Sequence, residues 1–221
     1  MASVGVSRYA VSSTSICDND YDKAAREMVE LRAIAGERLI PVMWITPFML
    51  ADGGLETMLK TGLDWRCIKI HPYMQPKVWN NREAQDAVAS LAKEMDLPIL
   101  IHTGQTEGAY PLEFEEMIAA HPTVKIILAH GRPVEQAEQL MKQYGNVWAD
   151  TAFMPTPNIA RLCAAGLDDR VMWGSDYGVT RYFYPNADQI AYYNHEIEEM
   201  RKTLSAEDFE KVTHENAERM F

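Results

Sequence analysis

The stretch Pro98-Ile99-Leu100-Ile101-His102-Thr103-Gly104 places a short apolar run between a proline and a polar end. An apolar run of this length between such residues predicts a strand that is buried on both faces. Ile126-Ile127-Leu128-Ala129-His130 and Val171-Met172-Trp173-Gly174-Ser175-Asp176 have the same form. Polar residues at the ends of buried strands are costly unless they meet partners or a metal. These three strand ends therefore indicate a functional site.

Seven strand-like runs alternate with helix-like runs along the chain. The predicted strands are Val4–Ser12, Arg38–Thr46, Cys67–His71, Ile99–His102, Val124–His130, Asn146–Thr151 and Val171–Asp176. Helical patterns cover Asp22–Ala35, Asp52–Leu59, Asn81–Met95 and Pro133–Tyr144, and two more helices are expected in the tail. This order predicts one α/β domain over residues 1–221 with a parallel sheet. A doubly wound sheet would carry a glycine-rich loop after its first strand, and its absence favours a barrel.

Composition excludes several classes of function. The chain has 221 residues, 47% of them hydrophobic, and a net charge of −11. This charge argues against nucleic acid or an anionic membrane as a partner, since both need a cationic face. No secretory signal and no apolar stretch long enough for a membrane span is visible. The three cysteines are few and widely spaced, which is typical of a reduced cytoplasmic protein.

Several ionisable side chains are predicted to meet at one end of the sheet. Side chains alternate between the two faces of a strand, and the carboxyl ends of the strands of a parallel barrel share one mouth. In this interpretation His130 points inward together with Leu128, and Asp176 together with Met172. The residues that converge on one cavity are Lys69, His71, His102, His130 and Asp176.

The same runs resemble the amidohydrolase-related family of metal-dependent barrel hydrolases, whose branch includes non-oxidative decarboxylases of aromatic acids. The stretches that carry the resemblance are Ile68-Lys69-Ile70-His71-Pro72, Pro98–Gly104, Leu128-Ala129-His130-Gly131, Asn146–Thr151, Trp173-Gly174-Ser175-Asp176 and Asn216–Phe221. They cover nearly the whole chain in the family's order. The resemblance implies a TIM-barrel-like (β/α) fold in which these strands correspond to the family's strands four to eight.

The resemblance also implies roles for individual residues. The family binds its metal through a His-x-His pair on strand one, a histidine on strand five and an aspartate on strand eight. His102 and Asp176 match the last two ligands. His130 matches the histidine beside the metal that orients or protonates the reacting group, and Asp176 would also take a proton from a metal-bound water. A divalent metal, zinc by our prediction, lowers the pKa of such a water to about 7.

The chain departs from the family at its amino end, because it contains no His-x-His sequence. Its first predicted strand resembles the family's second strand, so the family's first strand is missing. Two or three remaining ligands make a poor zinc site, and we expect weak or partial metal occupancy. We also expect Met1 to be an internal methionine of a longer protein, which the upstream reading frame would test.

Further residues are assigned to substrate binding, each with an alternative. Lys69 would anchor an anionic group or, if carboxylated, bridge two metals, and pairing with Asp150 is equally compatible with the sequence. Arg132 would bind a carboxylate in bidentate fashion, or lie at the surface where a helix starts. Tyr177 would line the mouth or belong to an ordinary loop. His71 is also assigned to substrate binding.

Three functional hypotheses remain open at this point. The first is a metal-dependent hydrolase that acts on a small anionic organic substrate. The second is a non-oxidative decarboxylase on the same site, and the third is a catalytically inactive remnant. Such a remnant would form a homo-oligomer that covers the open sheet edges.

Overall fold

Seven parallel strands form one curled sheet in strict sequence order. The computed structural model of the protein describes residues 2–74, 79–104 and 106–221. The strands are β1 (Tyr9–Val11), β2 (Leu39–Trp44), β3 (Cys67–Ile70), β4 (Ile99–His102), β5 (Ile126–Ala129), β6 (Val147–Asp150) and β7 (Val171–Met172). Each strand pairs with the next one along the chain, and every pair is parallel. The prediction of a TIM-barrel-like fold with seven strands is confirmed.

The sheet does not close into a complete barrel. Across the described residues, no strand pairs with the outer edge of β1 or of β7. The outer edge of the β7 segment is met by helix instead, since the N–H of Trp173 donates to the carbonyl of Val212 at 2.7 Å. The opening therefore lies between the first and the last strand, where the family's first strand was expected.

The two outermost strands are shorter than predicted. Val4–Ser12 was predicted as a strand, but only Tyr9–Val11 pairs, and the residues around Val4 form a 3-10 turn. The last strand ends at Met172 rather than at Asp176. Edge strands have hydrogen-bond partners on one side only, so their ends are the least strongly held part of a sheet.

Helices cover the outside of the sheet. They are α1 (Tyr21–Ala35), α2 (Met49–Asp52), α3 (Gly54–Leu59), α4 (Arg82–Met95), α5 (Glu115–Ala120), α6 (Val134–Gln143), α7 (Thr156–Leu162), α8 (Tyr177–Phe183), α9 (Gln189–Thr203), α10 (Ala206–Glu210) and α11 (Asn216–Met220). The helix predicted over Asp52–Leu59 is present from Gly54 to Leu59, and Gly53, with φ +84°, separates it from α2. In the part of the chain that the structure describes, no helix is long and apolar enough to cross a bilayer.

The core has two layers that use opposite faces of the same strands. The outer layer packs residues such as Ile68, Ile101 and Leu128 against the helices. The inner layer, which fills the barrel, contains Val42, Cys67, Ile127, Trp148, Met172 and Met220, with Leu100, Ala217 and Phe221 against it. β1 differs from the other strands in what lies on its inward face. Ala10 occupies the inward position, in register with Ile40 of β2, yet it is exposed to solvent. The barrel interior is therefore open to solvent along β1.

The carboxyl-terminal helix closes the end of the barrel opposite the mouth. Met220 contributes to the inner core, and the guanidinium of Arg66 donates to the carbonyl of Phe221. Asn216 is buried, and its amide donates to the carbonyls of Asp168 and Val171, both at 2.7 Å. This side chain ties α11 to the start of β7.

Replacing Asn216 should destabilise the protein. In Asn216→Ala, two carbonyls in a buried setting lose their donor, so the free energy of unfolding should fall by about 1–3 kcal/mol. Urea denaturation measures the change. Asn194→Ala, at an exposed position of α9, is the control and should change stability little. Equal effects of the two substitutions would show that Asn216 does not hold α11.

The segment after β1 is fastened to α1 by one carboxylate. Oε2 of Glu27 accepts hydrogen bonds from the hydroxyls of Ser13 at 2.5 Å and Ser15 at 3.0 Å. The bond from Ser13 is the largest cause that lowers the pKa of Glu27 below its ordinary 4.5. A lowered pKa in the folded state stabilises the fold above the unfolded pKa, and this contribution disappears as pH falls.

Glu27→Gln should therefore lower stability at neutral pH and flatten the acid dependence of stability below pH 4.5. The reason is that the glutamine amide does not titrate in this range, so its interaction with the two hydroxyls does not change with pH. Urea midpoints across this range measure the slope. Glu30→Gln, at an exposed position of the same helix, should keep the wild-type slope; an unchanged slope in Glu27→Gln would contradict the assignment.

Candidate active site

Three histidine rings form a cluster at the carboxyl ends of β3, β4 and β5. His71 follows β3, His102 ends β4 and His130 follows β5. The rings of His71 and His102 stack, with centroids 3.9 Å apart and planes inclined by 13°. His130 meets His102 edge-on at 4.8 Å, and Trp44 stacks on the far side of His71 at 5.2 Å. The structure thus brings together three of the predicted site residues.

Hydrogen bonds determine the tautomers of two of these rings. Nδ1 of His130 lies 3.0 Å from the carbonyl oxygen of Ala152, so it carries a proton and donates. In the neutral ring Nε2 then has a lone pair, and it accepts from Nδ1–H of His102 at 3.1 Å. This assignment follows from the partners. It leaves Nε2 of His102 with a free lone pair.

His130 reaches the cluster by a different route from the one predicted. Leu128 belongs to the outer core and Ile127 to the inner one, so the inward alignment of His130 with Leu128 is wrong. His130 has φ +69° and Gly131 has φ +47°, and this left-handed turn directs the imidazole to the mouth. A Cβ at Gly131 would lie 2.5 Å from Cε of Met154, so the turn needs glycine there.

Asp150 supports this turn, although sequence reasoning considered it only as a partner of Lys69. Its Oδ1 accepts the backbone N–H of His130 at 2.9 Å and that of Ala152 at 3.0 Å. A Cβ at Gly174 would lie 3.0 Å from the same oxygen. The sequence signal was the polar residue at the end of β6, which is equivalent to the strand ends that were recognised.

Asp176 lies at the rim of the mouth, at the residue that precedes α8. Its backbone is left-handed with φ +44°, and its side chain makes no helix-capping hydrogen bond. The residue is exposed by surface area. The concave surroundings nevertheless reduce its hydration, and this raises the pKa of the carboxyl while His130 and Lys69 act in the opposite direction. Asp176 thus lies within electrostatic range of the histidine cluster.

Lys69 occupies an inward position of β3 and is partly buried. Its Nζ lies 5.6 Å from the centre of the Trp44 ring. Among the described residues, no carboxylate lies within 4.0 Å of this amine, so the structure does not contain the Asp150 pair. Burial lowers the pKa of Lys69, with Asp150 and Asp176 opposing the shift.

The two other predicted substrate-binding residues lie in different settings. Arg132 is half-buried, and its Nε donates to the carbonyl of Thr103 at 3.4 Å. Its positive charge is one of the causes that lower the pKa of His102, so it lies within electrostatic range of the cluster. Tyr177 is 43% exposed and packs 6.0 Å from the ring of Tyr193. This position is at the rim, outside the contacts of the cluster.

All three imidazoles are neutral at neutral pH. Burial is the largest cause in each case, and it lowers the pKa of His71 to about 3. The pKa values of His102 and His130 are also lowered, and Asp150 opposes the shift at His130. Neutral imidazoles have lone pairs, so they can accept a proton or bind a metal.

The residues that the structure describes do not form a complete metal site. Within residues 2–74, 79–104 and 106–221, no group of three or more His, Cys, Asp or Glu side chains is arranged to hold a metal ion. His102 offers one free nitrogen, and Asp176 lies at the rim. A tightly bound catalytic zinc usually has three protein ligands, so the donor set is too small.

The amidohydrolase family model matches residues 2–221. The chain belongs to the amidohydrolase family. A search of curated protein sequences finds no significant match. Family membership is thus established over nearly the full chain.

Solved structures of amidohydrolase-like enzymes share this fold. A 5-carboxyvanillate decarboxylase from Novosphingobium aromaticivorans, bound to manganese and 4-hydroxy-3-methoxy-5-nitrobenzoic acid, has a TM-score of 0.69 at 14% identity, covering 98% of this chain and 76% of that one. A 4-oxalomesaconate hydratase from Rhodopseudomonas palustris has a TM-score of 0.63 at 16% identity, covering 97% and 74%. A TatD-like protein from Archaeoglobus fulgidus has a TM-score of 0.60 at 18% identity, covering 96% and 84%. At these identities the likeness concerns the fold.

Removing the Asp150 carboxylate should disrupt the turn that carries His130. Asp150→Ala leaves two backbone N–H groups without their acceptor, so the free energy of unfolding should fall by about 1–3 kcal/mol. Asp150→Asn keeps an acceptor oxygen and should lose less. Urea denaturation measures stability, and imidazole nitrogen shifts by NMR report the His102–His130 hydrogen bond. Identical behaviour of the two variants would contradict the supporting role.

Proposed function

We propose that this amidohydrolase-family chain acts as a hydrolase on a small organic anion at the His102–His130 cluster. The observation that carries the proposal is the hydrogen-bonded histidine pair, which has one free lone pair and lies at the carboxyl ends of the strands. Active sites of β/α barrels are built at this end. Arg132 supplies the positive charge that would hold an anion there.

The histidine pair can accept a proton and move the resulting charge away from the substrate. Nε2 of His102 takes a proton from a reacting water or hydroxyl. Nδ1–H of His102 can then pass its proton to Nε2 of His130, because the two nitrogens are 3.1 Å apart. The charge arrives next to Asp150, which favours the protonated form of His130. The pair would thus serve as general base, with His130 as the second member, and Asp176 would be a further acceptor at the rim.

Substrate binding is assigned to Arg132, Lys69, His71 and Tyr177. Arg132 is oriented by the carbonyl of Thr103, which leaves other N–H groups of its guanidinium for a carboxylate. Lys69 adds positive charge from β3. The stacked ring of His71 provides a flat wall, and Tyr177 lies at the entrance.

Decarboxylation on the same site is the second candidate. It is favoured by the fold shared with a 5-carboxyvanillate decarboxylase. Loss of carbon dioxide from an aromatic acid needs a proton for the carbon, and the His102–His130 pair would pass one on from solvent. An inactive remnant is the third candidate, and the small donor set for a metal favours it.

A divalent metal is the cofactor implied by the family, and zinc is our proposal for its identity. The fold neighbour named above contains manganese. This chain offers two of the family's ligands, His102 and Asp176. We propose that a strand with the His-x-His pair would lie against the open edge of β1. The reading frame upstream of Met1 is the direct test of that proposal.

Activity measurements on paired variants test the proposed site. Purified protein is assayed with small esters, lactones and hydroxybenzoates, and carbon dioxide release separates decarboxylation from hydrolysis. His102→Asn and His130→Asn should lower kcat roughly 10²–10⁴-fold through loss of general base catalysis, and Arg132→Gln should mainly raise KM. His214→Asn, at an exposed position far along the chain, should change neither. Absence of turnover on every substrate, with and without Mn²⁺ or Zn²⁺, would support the remnant.

Metal binding by this chain should be weak. Loss of a residue that only hydrogen-bonds to a metal ligand already costs roughly 10–100-fold in metal affinity. This chain lacks the His-x-His sequence, and with it two imidazole ligands of the family set. After dialysis against a chelator and then against Zn²⁺ or Mn²⁺, elemental analysis should find less than one equivalent. One tightly held equivalent would show that other residues replace the missing pair.

A further inference from the structure

A cavity lies outside the barrel, between α7 and α9. Its volume is about 140 Å³, and its wall combines the turn after β6, Trp173 after β7 and one face of each helix. The apolar side of this α7–α9 cavity is formed by Met154, Ile159 and Met200, which belong to the outer core. An apolar cavity of roughly 150 Å³ can bind benzene. The α7–α9 cavity therefore has room for a small organic molecule.

The polar side of the α7–α9 cavity has an excess of negative charge. Its members are Thr151, Thr156, His195, Glu196 and Glu199. Glu199 already pairs with a lysine of its own helix, at 2.9 Å. Glu196 is partly buried, and within the part of the chain that the structure describes no Lys, Arg or His nitrogen lies within 4.0 Å of its carboxylate. The cavity thus contains a carboxylate whose charge no neighbouring side chain balances.

A carboxylate without a cation beside an apolar cavity favours a positively charged ligand. A buried charge is costly unless it is paired, and an ion pair with hydrogen bonds offsets this cost. Burial raises the pKa of the Glu196 carboxyl, while Tyr192 and His195 act in the opposite direction. The indole of Trp173 is a second group that attracts cations. The net charge of −11 draws cations to the protein as a whole.

We propose that the α7–α9 cavity binds a small primary ammonium compound, whose ammonium group pairs with Glu196 and whose apolar body packs against Trp173 and Met154. An ammonium group has three N–H donors. The carboxylate of Glu196 accepts from it, and the hydroxyl of Thr156 is a further acceptor in the same wall.

Met154 connects the α7–α9 cavity with the turn that carries His130. Its side chain lines the cavity, and its Cε is the atom that leaves no room for a Cβ at Gly131. A ligand in the cavity would therefore be separated from that turn by one side chain. It would not occupy the His102–His130 cluster, so this inference does not depend on the proposed function.

NMR titrations with three compounds of similar shape test the proposal. Cyclopentylamine, cyclopentanol and cyclopentanecarboxylate share one ring and differ in charge at neutral pH. The full chain carries isotope labels in its methionine methyls and tryptophan indoles. Cyclopentylamine should give saturable shifts of the Trp173 indole and the Met154 methyl. Cyclopentanol should bind at least about tenfold more weakly because it cannot form the ion pair, and the carboxylate should not bind. The Met220 methyl, at the closed end of the barrel, should not shift.

Variants of α9 test the ion pair itself. Glu196→Gln keeps the size of the side chain and removes its charge, so it should bind cyclopentylamine as weakly as cyclopentanol. The matched control is Glu198→Gln, which removes an exposed carboxylate that pairs with Arg201 on the same helix; its binding should equal that of wild type. His102→Asn should also bind like wild type. Thermal melting establishes that each variant is folded.

The proposal is overturned if the three compounds bind equally well, or if no saturable shift occurs at Trp173. Unchanged cyclopentylamine binding in Glu196→Gln would also overturn it, because the carboxylate would then not hold the ligand. Loss of binding in His102→Asn would place the ligand in the histidine cluster instead of the α7–α9 cavity.

Discussion

Every strand between β2 and β6 must fill space on both of its faces, and this constraint organises the molecule. One face packs against helices, and the other fills the barrel with a small inner core. Because both faces are apolar along most of each strand, polar groups are restricted to the strand ends. The carboxyl-terminal helix seals one end with Met220. The opposite end is left for Lys69, the histidines and the carboxylates.

The sequence alone was sufficient for the parallel order of the strands and for the placement of His71 and His102. Both follow directly from regular strands, where side-chain alternation is a reliable rule. His130 and Asp176 are different, because each has a left-handed backbone beyond the end of its strand. Alternation does not extend through such a turn. The glycine after His130 was visible in the sequence, but the need for it depends on Met154, which is distant in sequence.

Asp150 shows a second limit of sequence reasoning. A carboxylate at a strand end has several chemically reasonable partners, including Lys69 and a metal. Its actual partners are two backbone N–H groups of neighbouring turns. Every residue except proline has a backbone N–H group, so no sequence pattern shows which of these groups a carboxylate binds. The same limit applies to the edge strand β1, whose length depends on how many partners it has rather than on its own residues.

The cluster combines two kinds of chemistry in one small volume. The hydrogen-bonded imidazoles handle protons, and Lys69 and Arg132 handle negative charge. The stacking of His71 on His102, with centroids 3.9 Å apart, aligns the two rings.

The exposure of Ala10 on the inward side of β1 has a consequence for strand addition. Among the described residues no strand pairs with the outer edge of β1, so its backbone N–H and C=O groups are a template for one further strand. A strand added there would cover Ala10 with its own inward side chains. The polypeptide that supplies this strand, whether the same chain or another, would thereby contribute to the lining of the barrel.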